Sequence, residues 1–164
     1  SPISRSAMFL GKVVGGATDT FIQSSILLFI GYIFTVTGFM QGVDFSLPSL
    51  LTAVAFLIVT TCGTASLGLI IGSQMESIEG FQLVGSFVIF PMFFLSGALF
   101  PTNNLPPYLA PLIFLDPITY AVDGLRGALI GVSTFPIIFD FAVVCLFTAA
   151  MMVIGTHAFK KMRV

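Results

Sequence analysis

Residues 94–127 read FLSGALFPTNNLPPYLAPLIFLDPITYAVDGLRG. The stretch opens as the end of an apolar helix, then meets Pro101, Pro106, Pro107, Pro111 and Pro117, with 112–115 apolar between them. Proline lacks the N–H a helix interior needs, and its ring collides with the preceding turn. Ser96 and Gly97 therefore loosen the first helix and Pro101 stops it. Asn104 can cap a short helix that begins at Leu105 and Pro106 and runs through Tyr108 to about residue 115. Asp116 then stands where an N-cap belongs, Pro117 takes the first helical position, and Gly131 is a C-terminal stop. At 1.5 Å per residue, 117–130 would be about 21 Å long, too short to cross a hydrocarbon core of about 30 Å. The spacing predicts two short helices that break and return, not a span.

The composition says where this happens. Of 164 residues, 57% are hydrophobic and 8% are charged, and the mean hydropathy is +1.10. Soluble domains carry about 25% charged residues, so this chain cannot clothe a surface in water. The fold class it implies is all-α: a polytopic membrane bundle with four transmembrane helices, at 17–39, 49–72, 81–100 and 135–157, each close to the ~20 apolar residues a crossing needs. The broken segment lies between the third and fourth. Pro48 suits the first turn of the second helix. No basic stripe points to nucleic acid. Cys62 and Cys145 lie alone in apolar runs, with no metal-ligand or disulfide pattern. The chain begins at Ser1 with no basic n-region and cleavage site after it, so it reads as a fragment of a longer protein.

Lys and Arg set the orientation. Arg5 and Lys12 precede the first span, and Lys160, Lys161 and Arg163 follow the last. The loops 40–48 and 101–134 hold only Arg126, against Asp44, Asp116 and Asp123. The positive-inside rule puts both ends in the cytoplasm of a multi-pass cell membrane protein. Glu76 and Glu79 then lie in a cytoplasmic loop, and the proline-rich segment lies outside.

Several faces carry polar or small residues. Thr61, Ala65, Gly68 and Gly72 share one side of the second span; Gly68 with Gly72 and Gly11 with Gly15 form GxxxG pairs, which serve packing within one subunit or a dimer seam. Lys12, Gly16, Asp19 and Gln23 share a face near the inner end of the first span. That is either an interfacial start or a patch for a cytoplasmic partner. Asp140 lies about one turn inside the outer end of the last span, where snorkelling costs little, and His157 lies at headgroup level. In the broken segment, Thr119, Asp123 and Arg126 form a polar face opposite Ile118, Val122, Leu125 and Leu129, and Asp123 can pair with Arg126 at i, i+3. Irregular backbone at membrane depth survives only inside protein or along a cavity. The hairpin is thus a re-entrant lid on a pathway or an interfacial helix anchoring the outer ends of the spans.

Residues 93–131 resemble the C-terminal signature of the ABC-2 type permease family, the membrane subunits of ATP-driven exporters. The pattern Ser-Gly-x-x-Phe-Pro is matched at 96–101, Leu-Pro at Leu105 and Pro106, and Pro-x-Thr-Tyr at 117–120, with Arg126 downstream. The opening SPISRSAMFLGKVV resembles the family's stretch leading into its third helix. The likeness spans nearly the whole chain, is closest to the drug- and antibiotic-export branch, and matches 1–164 to helices three to six of a six-helix unit. It implies a permease homodimer or heterodimer in membrane lipid, exporting a hydrophobic or amphipathic cargo such as a drug, lipid or glycoconjugate. It implies an outer gate at Ser96, Gly97, Pro101, Pro106, Asp116, Pro117, Tyr120, Asp123 and Arg126. It implies contacts to an ATP-binding cassette subunit at Pro2, Ile3, Ser4, Arg5, Glu76 and Glu79. No Gly-x-x-x-x-Gly-Lys-Ser/Thr loop occurs, so ATP and Mg are expected on that partner; no catalytic, cofactor or metal site is expected here, and the chain is not itself an enzyme. The alternatives are a channel or secondary carrier, or less readily a lipid-modifying enzyme, since Asp-Gly-Leu-Arg-Gly lacks the added carboxylates such a metal site needs.

Overall fold

The computed structural model describes residues 5–99 and 107–161. Pro2, Ile3, Ser4, Pro101 and Pro106 lie outside the described residues. The described residues form six α-helices: α1 (Arg5–Val36), α2 (Leu47–Gly72), α3 (Ile78–Leu95), α4 (Ala110–Leu115), α5 (Pro117–Ile130) and α6 (Ile137–Lys161), with a 3₁₀ turn at Pro107–Leu109 before α4. Of these, α1, α2, α3 and α6 are long and apolar enough to cross a membrane. The all-helical, four-span architecture is as the sequence implies. Boundaries differ in two places. Helix α1 starts about twelve residues before the expected span, so Lys12, Gly16 and Asp19 ride on a continuous helix. Helix α3 ends at Leu95, because Ser96 caps it and Gly97 follows at φ +77°, the left-handed region that suits glycine.

Local chemistry fixes the starts of the helices. Ser77 accepts the Gly80 N–H at 3.0 Å at the head of α3, with Glu79 in its first turn against the positive end of the helix. Before α2, with Pro48 in its first turn, Asp44 is the organiser. Its carboxylate accepts the Ser46 N–H at 2.9 Å and the Ser46 and Ser49 hydroxyls at 2.9 and 2.7 Å. Those bonds, Ser49 first, hold its pKa below the ordinary carboxylate range. The Asp44 N–H also donates to the Leu129 carbonyl, tying the α1–α2 loop to the end of α5.

Two apolar clusters hold the bundle. Phe56 of α2 meets Tyr120 and Ala121 of α5 and Val144 of α6; at the other end Phe9 and Val13 of α1 meet Phe159 of α6. Both depend on glycine for want of a side chain. A Cβ on Gly124 would strike the Phe56 ring, and one on Gly155 would strike Phe9. Between them, Thr148 of α6 donates to the Val59 carbonyl at 2.9 Å beside Gly63, where a Cβ would collide with the Thr148 hydroxyl. The GxxxG pairs are not the close approaches: a Cβ at Gly11, Gly15 or Gly68 would meet nothing within 4 Å. Small residues permit contact, but the partner decides where it occurs, and here the partners are aromatic rings.

Helix α3 stands apart. It buries Gly85, while Phe87, Ile89, Phe90, Phe93 and Phe94 are exposed. A cleft of about 780 Å³ lies between the first half of α1 and the second half of α2, lined by Met8, Lys12, Gly16, Gly72 and Ser73 among others, and reaches α3 at Phe81. A smaller space of about 210 Å³ separates the second half of α3 from α2 and Ile118.

Gly124→Ala is expected to drive the Phe56 ring from its seat. Overpacking of this kind costs about 1–3 kcal/mol, so the purified membrane protein should melt several degrees earlier, and Phe56→Leu in the same chain should recover part of the loss. Thermal unfolding in detergent, followed by size exclusion, measures both. An unchanged melting point in Gly124→Ala would contradict the packing described.

Candidate functional site

The proline-rich segment builds a short helical hairpin, and its second arm sits deep. Along α5, Gly127 lies against Ile137, the Tyr120 ring lies 5.9 Å from Phe139, and Tyr120 and Ala121 share a cluster with Val144. The helix therefore runs antiparallel to the first two turns of α6. On the other side, Gly124 meets Phe56, and Ile118 borders a space with Thr64 and Gly68. The start of α5 thus stands level with the middle of α2, and its end reaches the α1–α2 loop through Leu129.

The start of α5 is set as the sequence predicts. Asp116 is the N-cap, its carboxylate accepting the Ile118 N–H at 3.0 Å and the Thr119 hydroxyl at 3.4 Å, and Pro117 follows as the first helical residue. Gly131 closes the helix at φ +74° with its N–H on the Gly127 carbonyl. The Tyr120 hydroxyl donates to the Phe114 carbonyl at 2.8 Å, locking α4 to α5 across the turn. Phe114, Tyr120, Phe135 and Phe139 stack in tilted and edge-on pairs, with centroids 5.6–6.1 Å apart, and close the hairpin against α6.

The polar face of α5 turns into the protein. Thr119 and Asp123 are buried, and the opposite Ile118, Val122 and Leu125 are only half covered. Nor do Asp123 and Arg126 bind each other. Asp123 Oδ2 accepts the Thr134 and Phe135 N–H groups at 2.7 and 2.9 Å, in the loop that enters α6. Arg126 Nη2 donates to the Gly97 carbonyl at 2.9 Å, just past the end of α3. The reason is competition: free backbone groups at two chain breaks outbid a neighbour on the same helix, and each charged side chain gains a charge-assisted bond. Ser96 completes the junction, donating to the Phe93 carbonyl at 2.7 Å and accepting the Ala98 N–H at 3.3 Å.

Asp140 also departs from expectation. It does not snorkel: its exposure is 0%, and neither carboxylate oxygen has a hydrogen-bond partner among the described residues. The seat of Phe56 on Gly124 and the Thr134–Phe135 amides were likewise not foreseen; the glycine between Asp123 and Leu125 was the one available signal. At the opposite end of the bundle, Glu76 and Glu79 are exposed at the α2–α3 turn, and Arg5 opens α1. Met8 and Lys12 share a cleft with Gly72 and Ser73, so the start of α1 and this turn lie at one end of the bundle. His157 is exposed there, its Nδ1 3.0 Å from the Val153 carbonyl. Cys62 and Cys145 are free and half-buried. Among the described residues, no three His, Cys, Asp or Glu side chains are placed to hold a metal.

A bundle of four long apolar helices with a capped half-helix hairpin before the last is a membrane-embedded unit with one structured end. The model of the ABC-2 type transporter family matches residues 1–130, and the chain belongs to that family. It is 27% identical over 154 residues to the inner membrane transport permease YadH of Escherichia coli K12, covering 94% of this chain and 57% of the relative. It is 25% identical over 159 residues to nodulation protein J of Rhizobium leguminosarum bv. viciae, covering 97% and 58%. The chain thus spans little more than half the length of these relatives. No solved structure matches it.

Asp123→Ala leaves two N–H groups without their acceptor, at roughly 1–3 kcal/mol for each buried group. Amide exchange at Thr134 and Phe135 should then accelerate by an order of magnitude or more, whereas Asp123→Asn, which keeps an acceptor oxygen, should lose less protection. Exchange mass spectrometry across 131–139 reads this directly, and unaltered rates in Asp123→Ala would exclude the bridge.

Proposed function

We propose that this chain is part of the membrane-spanning permease of an ATP-driven exporter, with α4 and α5 as the outer gate. The observation that carries the proposal is family membership joined to a half-helix hairpin fastened at both neighbours: to α6 by Asp123 and to α3 by Arg126. In this reading the protein lies in the inner membrane with both ends cytoplasmic, and 117–130 is re-entrant from outside. Its short length and its seat at the level of mid-α2 support that depth. The cargo is hydrophobic or amphipathic, in keeping with the apolar walls and single Lys12 of the inner cleft.

Power comes from a separate ATP-binding cassette subunit, which holds ATP and Mg. It contacts the inner end, at Pro2, Ile3, Ser4, Arg5, Glu76 and Glu79, and two permease chains enclose the pathway. The transmission follows from how α3 is held. A push on the α2–α3 turn meets little lateral resistance, because α3 buries only Gly85 and borders open space at Phe81 and at Ile89, Met92 and Phe93. Its outer end is tethered, so a tilt of α3 pulls Gly97 and, through Arg126, the gate helix. Asp116, Pro117 and Tyr120 keep that helix rigid enough to move as one piece.

Two measurements test this. A cysteine at exposed Val132 should react with an impermeant thiol reagent from outside, and one at Ser77 only after the membrane is opened; the reverse pattern would sink the orientation. Arg126→Ala should leave the ATPase subunit bound and hydrolysing while export per molecule falls several-fold, and Glu76→Lys with Glu79→Lys should weaken ATPase co-purification. Normal export per molecule in Arg126→Ala would remove the tether from the mechanism.

A further inference from the structure

Asp140 is a carboxyl group with nothing to do in the structure as it stands. It lies one turn into α6, on the face that carries Val144 and Thr148 against α2 and α5. Its exposure is 0%, and both oxygens are buried without a donor. The polar groups that reach it electrostatically are Tyr120 and Asp123 of α5. Both are already committed, the Tyr120 hydroxyl to the Phe114 carbonyl and the Asp123 carboxylate to the Thr134 and Phe135 amides. Arg126, the one cation of α5, is turned to Gly97. Helix α2 carries no charged residue; its one titratable side chain, Cys62, lies six residues beyond Phe56, about 9 Å further along the helix. On α1 the charged groups Arg5, Lys12 and Asp19 belong to the first half of the helix, and Tyr32 is packed edge-on to Phe45.

A buried carboxylate with no donor and no counter-ion is too costly to persist, and a second carboxylate nearby makes it worse; the group takes up a proton instead. We infer that Asp140 is a proton-binding site of the closed hairpin, loaded while α5 is seated on α6 and emptied to the outer aqueous phase when α5 lifts away. The exit lies close by, since the loop 131–136 begins one turn above. No other group changes bond or charge: closure takes one proton from water, and opening returns it.

The sign of the coupling follows. The closed state holds the proton more tightly than the opened one, in which water solvates the carboxylate. Proton binding therefore favours closure, most fully below the ordinary carboxylate range near 4, and the advantage is lost as pH rises. For one proton, the ratio of open to closed can change at most about tenfold per pH unit.

This inference takes the moving hairpin from the proposed function, but its test needs no transport and no ATPase. The full-length chain in lipid nanodiscs, with isotope-labelled aspartate, should show the infrared carbonyl stretch of a protonated carboxylic acid at neutral pH. The band should vanish in Asp140→Asn and persist in Asp123→Asn. Spin labels at exposed Leu112 and Ile138 should report a growing open population as pH rises in the otherwise native chain, and a population fixed at the closed distance in Asp140→Asn. Absence of the band, a band that survives Asp140→Asn, or a pH response shared equally by both chains would each overturn the proposal. So would a hairpin whose distance never varies with pH. Because Asn has the shape and neutrality of the protonated acid, failure of that variant to fold counts against the proposal as well. Any of these failures leaves the exporter reading standing.

Discussion

One carboxylate joins the hairpin to the entry of α6. Asp123 receives the Thr134 and Phe135 amides, and without it the loop into α6 would carry two unsatisfied donors beside an apolar cluster. Backbone that leaves a helix at membrane depth must find partners inside the protein. Asp123 supplies them from α5, so the position of the hairpin and the entry of α6 are set by a single side chain. Phe56 can then sit on Gly124, and the aromatic cluster of Phe114, Tyr120, Phe135 and Phe139 closes over the junction.

Much of this was written in the chain. Four spans follow from apolar length, and the Asp116–Pro117 start and Gly131 stop of α5 follow from capping rules that act over a few residues. The reading failed where a side chain had distant choices. Asp123 and Arg126 sit three apart and so look like a pair, but their structural partners lie 11 and 29 residues away along the chain, and sequence spacing cannot rank such options. The GxxxG pairs do not mark the close approaches within the chain, for a related reason. Glycine records that a close approach is possible, whereas the approach needs a ring on the other helix, and Phe56 and Phe9 were hidden among nineteen phenylalanines. Asp140 was misread because its burial is set by how α6 packs on other helices, which spacing along α6 does not record.

The bundle is uneven by design of its contacts. Helices α2, α5 and α6 interlock through Phe56, Val144 and the Thr148–Val59 bond, while α3 buries only Gly85, borders open space at Phe81 and at Ile89, Met92 and Phe93, and is tied at Gly97, just past its end, to Arg126. A rigid block beside a tethered lever is an arrangement that converts a push at one end into displacement at the other. The exposed phenylalanines along α3 face lipid or further protein, and neither resists a small tilt as an interlocked core would.

The Thr148–Val59 bond has a consequence for how the molecule is made. Its partners are 89 residues apart, and Asp123 is synthesised 11 residues before the first amide that satisfies it. A ribosome therefore delivers α2, α3 and the hairpin into the bilayer before the helix that binds them together exists. Until α6 arrives, Phe56 has only part of its seat and Asp123 of the half-helix lacks its partners. The span translated after the hairpin is thus the one that completes these contacts, and a nascent chain halted before it exposes a charged, unclosed hairpin to the membrane's quality-control proteases.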